Sequence, residues 1–249
     1  MRTFSHPGYK RFLLSVGCLL SIHFTALFFL TLFRLVFFFS ANYDFPDQEH
    51  VGFMSIWPAF IRGVWFDNVI ACYILLIPLV AVSISALFNY YGKILWNVTC
   101  IFFSLFYGIV LLVTAANIPY FQYFFKIINS SVFNWFGYMN TTAGMVFGET
   151  SYYPPLIGFL LTLVLFIWLM RRLIRHFQRL LNTKNPSVFW LDRIYIFLTA
   201  GICIGLCLFG IRGRTGYNPI KVSAAYYCTD PFLNQLGISP VFNLLSSTL

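Results

Sequence analysis

The chain has 249 residues, of which 59% are hydrophobic and only 9% are charged, and its mean hydropathy is +0.79. These values exclude a water-soluble domain, because too few charged residues are present to cover its surface. We therefore expect an all-α, polytopic helical membrane protein. The formal net charge is +9, but most basic residues flank apolar runs. That placement is typical of membrane orientation and predicts no nucleic-acid partner.

Five apolar runs predict transmembrane helices, since a bilayer core requires about 20 apolar residues. In chain order they cover about 12–39, 67–88, 94–117, 153–170 and 190–210. The first run is longer than a bilayer requires, so we expect it to tilt or to protrude. Residues 1–210 are thus predicted to form one five-span transmembrane domain, followed by a separate connector over residues 211–249.

The first predicted span contains two ionisable residues, His23 and Arg34. We interpret His23 as a hydrogen-bonded residue inside the helix bundle. Arg34 lies near the outer end of the span, where its long side chain is predicted to snorkel to the interface. An ionisable residue within a span is also a functional candidate, and this second interpretation stays open.

Asp67 is placed at the start of the second span, after an acidic outer loop that is predicted over residues 40–66. A carboxylate at a helix start is a good N-cap and interacts favourably with the helix dipole. Pairing with Arg62 or Arg34 explains this aspartate equally well. The sequence leaves capping and pairing open.

The segment after the third span is densely aromatic and has Lys126 as its single charge. Polar residues interrupt it too often for it to cross a bilayer. We therefore predict that Tyr120–Phe136 forms an interfacial helix on the outer side of the membrane.

A basic loop between the fourth and fifth spans, residues 171–193, sets the predicted orientation. It carries six lysines and arginines against one acid, Asp192, and such a loop normally stays in the cytoplasm. With five spans, the amino terminus is then inside and the carboxyl terminus outside. Ten basic residues fall on the predicted inner side and five on the outer side. The outer five are Arg62, Lys126, Arg212, Arg214 and Lys221.

Arg212 and Arg214 follow the fifth span on a glycine-rich turn, at the expected height of the lipid headgroups. Their guanidinium groups would bind phosphate through charge-assisted hydrogen bonds, or would simply anchor the helix end in the interface. Both interpretations stay open. Residues 220–245 alternate turn-forming residues with apolar and aromatic ones, which predicts a segment packed on the outer surface.

No cluster of residues typical of catalysis stands out in the sequence. Cys203 and Cys207 share a helix face, but no histidine or acid accompanies them as a metal ligand. We therefore predict no catalytic, cofactor-binding or metal-binding residue in this chain. Five of the six cysteines lie in predicted spans, so no disulfide framework is expected.

Several short stretches resemble one known family, the lipoteichoic acid synthase-like proteins. The stretches that resemble the connector after the fifth span of that family are Arg212-Gly213, Asn218-Pro219, Ala224-Ala225-Tyr226, Phe232-Leu233-Asn234-Gln235-Leu236 and Pro240-Val241-Phe242-Asn243. Gly63-Val64-Trp65-Phe66-Asp67 is similar to a Gly-x-Arg-Phe-Asp stretch of the family, with Trp65 in place of the arginine. Asn117-Ile118-Pro119-Tyr120-Phe121 also resembles it.

This resemblance implies a membrane-bound phosphoglycerol transferase of the alkaline phosphatase and sulfatase superfamily, located in the bacterial inner membrane. Members of the family continue into an extracytoplasmic domain that carries the metal ligands and a threonine nucleophile. The chain ends at Leu249, about where that domain would begin. We therefore expect the catalytic domain, and its divalent metal, to be missing from this chain.

The expected function is a membrane anchor and lipid-presenting module of such a transferase or sulfatase-like hydrolase. Its expected partners are membrane lipids and its own missing catalytic domain. Four residues are candidates for contact with a lipid headgroup or with that domain: Arg212, Arg214, Arg62 and Asp67. The alternative is a small transporter or a membrane scaffold with no chemistry, although the spans supply few of the polar groups that a transport pathway requires.

Overall fold

A computed structural model of the protein describes residues 7–41, 53–138, 144, 148, 150–181 and 190–248. Within these ranges the chain is helical and contains no strand. The α-helices are α1 (Pro7–Ser40), α2 (Phe53–Leu87), α3 (Lys93–Phe124), α4 (Tyr153–Leu181), α5 (Trp190–Arg212), α6 (Pro231–Leu236) and α7 (Pro240–Thr248). Short 3-10 helices lie at Ser130–Tyr138, Thr150–Tyr152 and Val222–Ala225.

Helices α1 to α5 are long and apolar enough to cross a membrane, which confirms the predicted all-α class and the predicted number of spans. In the bundle, α2 packs against both α1 and α5, while α4 packs against both α1 and α3. The largest fully buried side chains come from all of α1 to α4; they include Phe12, Phe66, Phe103, Tyr107 and Phe166. The core therefore combines these aromatic rings with many aliphatic side chains between the helices.

Helix α2 begins at Phe53, so the predicted outer loop is wrong over residues 53–66. Pro58, Arg62 and Gly63 suggest a loop in the sequence, but a helix accommodates all three. Proline is tolerated in membrane helices because neighbouring groups satisfy the carbonyl that it leaves free. As a result, Asp67 lies about four turns inside the helix and cannot be its N-cap.

The predicted interfacial helix over Tyr120–Phe136 has the wrong boundaries. Its first five residues continue α3, which ends where Phe125 adopts a left-handed conformation (φ 53°) and donates its N–H to the Phe121 carbonyl. The separate helix that follows α3 is the 3-10 helix Ser130–Tyr138. Whether this shorter helix lies in the membrane interface stays a prediction.

Helix α4 also continues beyond its predicted end at Met170, as far as Leu181. The first half of the predicted basic loop is therefore helical, because arginine and leucine are good helix formers and no glycine or proline interrupts the run. Helix α4 has 29 residues and is about 43 Å long, whereas a hydrocarbon core is about 30 Å thick. The exposed arginines of the last turns, Arg171, Arg172, Arg175 and Arg179, can therefore project beyond the core.

Candidate functional site

The end of the bundle where α5 ends is organised around Arg34, which is only 5% exposed. Its Nη2 donates to Asp67 Oδ2 at 2.6 Å, and its Nη1 donates to the carbonyls of Leu236 and Ile238, the latter at 3.1 Å. The predicted snorkelling of Arg34 is therefore wrong. Of the alternatives for Asp67, pairing with Arg34 is the one that forms. Through this pair and its bonds to the two carbonyls, Arg34 joins α1 to α2 and to the chain at the end of α6.

Gly63 provides the space for this ion pair. A Cβ atom at position 63 would lie only 2.1 Å from Cζ of Arg34, so the guanidinium rests directly against the backbone of α2. Asp67 is 2% exposed and is engaged by Arg34. Its carboxylate therefore lies inside the bundle, and a contact of Asp67 with a lipid headgroup or an outer domain stays a prediction.

Arg62 lies one residue before Gly63 and faces the chain that follows α5. Its Nε donates to the Ala224 carbonyl at 3.1 Å, and its guanidinium lies over the ring of Tyr227, 4.4 Å from the ring centre. The Tyr227 hydroxyl in turn donates to the Ser55 carbonyl at 2.6 Å. Burial raises the pKa of Tyr227 to about 12, so the phenol remains a neutral donor at physiological pH.

Residues 213–248, here called the exit segment, are folded against the bundle. The buried side chain of Asn234 accepts hydrogen bonds from the backbone N–H groups of Tyr227 (2.9 Å) and Cys228 (3.3 Å) and donates to the Cys228 carbonyl (2.7 Å). Gln235 Oε1 accepts from the N–H of Ile127 at 3.1 Å. These bonds fix the exit segment internally and attach it to the chain after α3.

Arg212 and Arg214 hold a tight turn over residues 212–218, here called the arginine turn. Arg212 Nη2 donates to the carbonyls of Gly216 and Tyr217, the latter at 2.6 Å, and Arg214 Nε donates to the Asn218 carbonyl at 2.6 Å. A guanidinium carries five N–H donors, so each arginine keeps further donors for a ligand. Arg212 is exposed and Arg214 is half-buried.

Gly213 and Trp65 fix the arginine turn against α2. Gly213 has φ +73°, and a Cβ there would lie 2.7 Å from Cγ2 of Ile220. The indole N–H of Trp65 donates to the Gly213 carbonyl. Trp65 therefore attaches the arginine turn to α2.

A groove with a volume of about 390 Å³ runs between α1, α2 and α5 toward this turn. Trp65, Gly210 and Gly213 line one end of it, and its remaining lining is mostly apolar. Its wall includes one polar pair, in which His23 Nε2 lies 3.0 Å from Asn68 Oδ1. His23 is thus a hydrogen-bonded bundle residue, as predicted. Nδ1 of the same ring is buried and has no hydrogen-bond partner among the described residues.

No group of three or more metal-ligating side chains occurs in the described part of the chain, and all six cysteines are free. The candidate site consists of two arginines on a fixed turn, a groove beside them and a packed exit segment. Comparison of the chain with protein-family models, with curated proteins and with solved structures finds no match. The resemblance to lipoteichoic acid synthase-like proteins therefore stays a prediction.

Three of the four predicted contact residues, Arg62, Arg212 and Arg214, donate hydrogen bonds to carbonyls of the exit segment. The fourth, Asp67, lies buried in the ion pair with Arg34. Sequence reasoning missed the groove and its polar pair, because His23 and Asn68 are 45 positions apart and meet only when the helices pack. In the sequence, the signal that could have indicated the space at Gly63 was a glycine next to Arg62 in a mostly apolar stretch.

Proposed function

We propose that this chain is the membrane anchor and lipid-presenting module of a lipoteichoic acid synthase-like phosphoglycerol or phosphoethanolamine-type transferase, or of a related sulfatase-like hydrolase. The catalytic domain, with its divalent metal, would follow the exit segment on the outer side of the bacterial inner membrane. The amino terminus would lie in the cytoplasm. The observation that best supports the proposal is the arginine turn, which holds two guanidinium groups in fixed positions at the end of a membrane-length helix.

A transferase that takes a headgroup from a lipid must hold its active site at the bilayer surface. The exit segment suits that task, because Arg34, Arg62 and Tyr227 attach it to the helices at several points. A domain continuing from it would have a restricted position relative to the membrane. Correct positioning of reactants can lower a barrier by several kcal/mol, about 7–11 in the best cases.

The proposal is tested on the full-length protein in proteoliposomes. We expect the wild type to release diacylglycerol from phosphatidylglycerol or phosphatidylethanolamine when a divalent metal is present. Replacing Arg212 and Arg214 together with glutamine should lower this lipid-dependent turnover at least tenfold, since the loss of one charged contact of about 1.5 kcal/mol already corresponds to about tenfold. Hydrolysis of a small soluble phosphodiester should stay nearly unchanged, because that substrate does not use the bilayer surface.

The matched control is Lys221→Gln, which removes an exposed positive charge from the same exit segment and should leave both activities intact. Equal loss of both activities in the double arginine variant would indicate misfolding. Absence of headgroup release by the wild type from any of these lipids would overturn the proposed function.

A further inference from the structure

The groove between α1, α2 and α5 has a graded lining. Its deeper part is apolar, with Leu19, Leu20, Leu75 and Leu206 among the lining residues. Leu20 and Leu206 are 41% and 66% exposed, so this part of the groove is open toward the surroundings of the bundle. In a membrane those surroundings are acyl chains. Its volume of about 390 Å³ lies in the range of about 300–1,000 Å³ that is typical of ligand sites.

The polar pair of the groove lies just beneath the arginine turn. Nδ2 of Asn68 is 3.7 Å from the position that a Cβ of Gly210 would occupy. Gly210 precedes Arg212 by two residues in α5, which corresponds to about 3 Å along the helix axis. The order along the helix axes is therefore leucines, then the polar pair, then the arginine turn beyond the end of the groove.

One polar atom at the level of this pair is available to a ligand. When Nε2–H of His23 donates to Asn68 Oδ1, the amide Nδ2 of Asn68 remains a donor. Nδ1 of His23 is buried and therefore out of reach of a ligand, so the role of His23 is to hold the amide of Asn68 in place. Polar groups in a mostly apolar site normally have a hydrogen-bond partner, so the amide of Asn68 indicates that the groove receives a molecule with a polar group at this level.

We propose that the groove binds one anionic diacyl glycerophospholipid. One acyl chain lies against the leucines, the glycerol-ester region meets Asn68, and the phosphate is bound by Arg212 and Arg214. The positive charge of the arginine turn complements a phosphate, and charge-assisted bonds to guanidinium groups are the strong ones. The inference rests on the membrane location in the proposed function, and it adds the site that positions the lipid.

The test measures lipid binding without any catalytic step. The protein is reconstituted in nanodiscs of phosphatidylcholine that contain a small fraction of phosphatidylglycerol with a photoreactive acyl chain. We expect crosslinks to peptides of α1, α2 and α5 that line the groove. Phosphatidylglycerol should label them about tenfold more than phosphatidylcholine with the same acyl chain, as expected for a charged contact.

Two tryptophan variants of α5 separate the groove from the rest of the lipid-exposed surface. Leu206→Trp fills the groove and should reduce this labelling about tenfold, since it occupies the volume of the chain. Leu208→Trp is the control, because Leu208 is 51% exposed and does not line the groove; its labelling should match the wild type.

Polar variants separate the two ends of the lipid. Replacing Arg212 and Arg214 with glutamine should abolish the preference for phosphatidylglycerol while leaving acyl-chain labelling of the groove. Asn68→Leu should remove a preference of the wild type for diester over diether phosphatidylglycerol. Free glycerol phosphate should not compete, because it lacks the acyl chain.

Equal labelling by both headgroups in the wild type, or labelling spread evenly over all lipid-exposed helix faces, would overturn the inference. Because this readout requires no turnover, it can fail while headgroup release is observed, and it can succeed while no headgroup is released. The two proposals are therefore tested separately.

Discussion

An arginine is buried near each end of α1, and the two arginines have different surroundings. Near the start of the helix, Arg11 lies over the ring of Tyr91, 5.8 Å from its centre, and Asp192 of α5 accepts the N–H of Gly8. Near the other end, Arg34 lies between Asp67 and the carbonyls of the exit segment. The two arginines are 23 positions apart, about 34 Å along the axis, close to the thickness of a hydrocarbon core.

This difference shows that the exit segment takes part in the packing of the transmembrane helices. At the Arg11 end, the buried charges are surrounded by residues of the long helices and of the short turn between α2 and α3. At the Arg34 end, part of the coordination comes from the chain that follows α6. The fold of the exit segment and the packing of α1 against α2 therefore depend on the same guanidinium group.

The largest effect is expected from removing one partner of the Arg34–Asp67 pair. Asp67→Leu leaves a buried positive charge without its carboxylate and should cost about 3–5 kcal/mol. Thermal unfolding of the detergent-purified protein should show a strongly lowered midpoint. The variant Arg34→Met/Asp67→Leu should recover part of this loss, since no buried charge remains. Arg179→Met, at an exposed arginine of α4, is the control and should unfold like the wild type. If Asp67→Leu unfolded like the wild type as well, the structural role of the pair would be contradicted.

The fold class could be predicted from the sequence, but the different surroundings of the two buried arginines could not. Low charge and five apolar runs are enough to predict an all-α membrane bundle. The start of α2 was predicted too late because the acidic character of residues 44–49 was extended to the whole stretch up to residue 66, although a membrane helix tolerates Pro58 and Gly63. Arg34 and Asp67 are 33 positions apart, and periodicity says nothing about which side chains meet across two helices. The groove requires three helices to be placed, so no local pattern indicates it.

A smaller effect is expected at Gly63, which gives Arg34 its space. Gly63→Ala places a Cβ within 2.1 Å of Cζ of Arg34 and should destabilise the protein by about 1–3 kcal/mol through overpacking. Gly201→Ala in α5 is the matched control, since a Cβ there meets no atom within 4 Å. The control should be neutral or should stabilise by about 0.5–1 kcal/mol, because alanine favours a helix over glycine. Chemical or thermal unfolding compares the two, and similar behaviour of both variants would refute the close contact at Gly63.

The smallest effect on global stability is expected at Asn234, where the consequence is local. Asn234→Ala removes the bonds to Tyr227 and Cys228 and should cost about 1–3 kcal/mol of exit-segment stability. Cys228, which is half-buried beside Asn234, should then react faster with a membrane-impermeant maleimide added outside intact cells. Ser246→Ala, at an exposed residue of α7, should leave the rate unchanged. Unchanged labelling in Asn234→Ala would show that Asn234 does not hold this part of the chain.

The most direct measurement is a cryo-EM structure of the full-length protein in nanodiscs that contain phosphatidylglycerol. We expect one lipid with an acyl chain between α1, α2 and α5 and its phosphate within hydrogen-bonding distance of Arg212 or Arg214. The exit segment should lie on the opposite face of the bilayer from Arg171 and Arg179, with a catalytic domain continuing from it. A groove closed by protein, or a lipid whose phosphate lies at the Arg11 end, would contradict lipid presentation by this module.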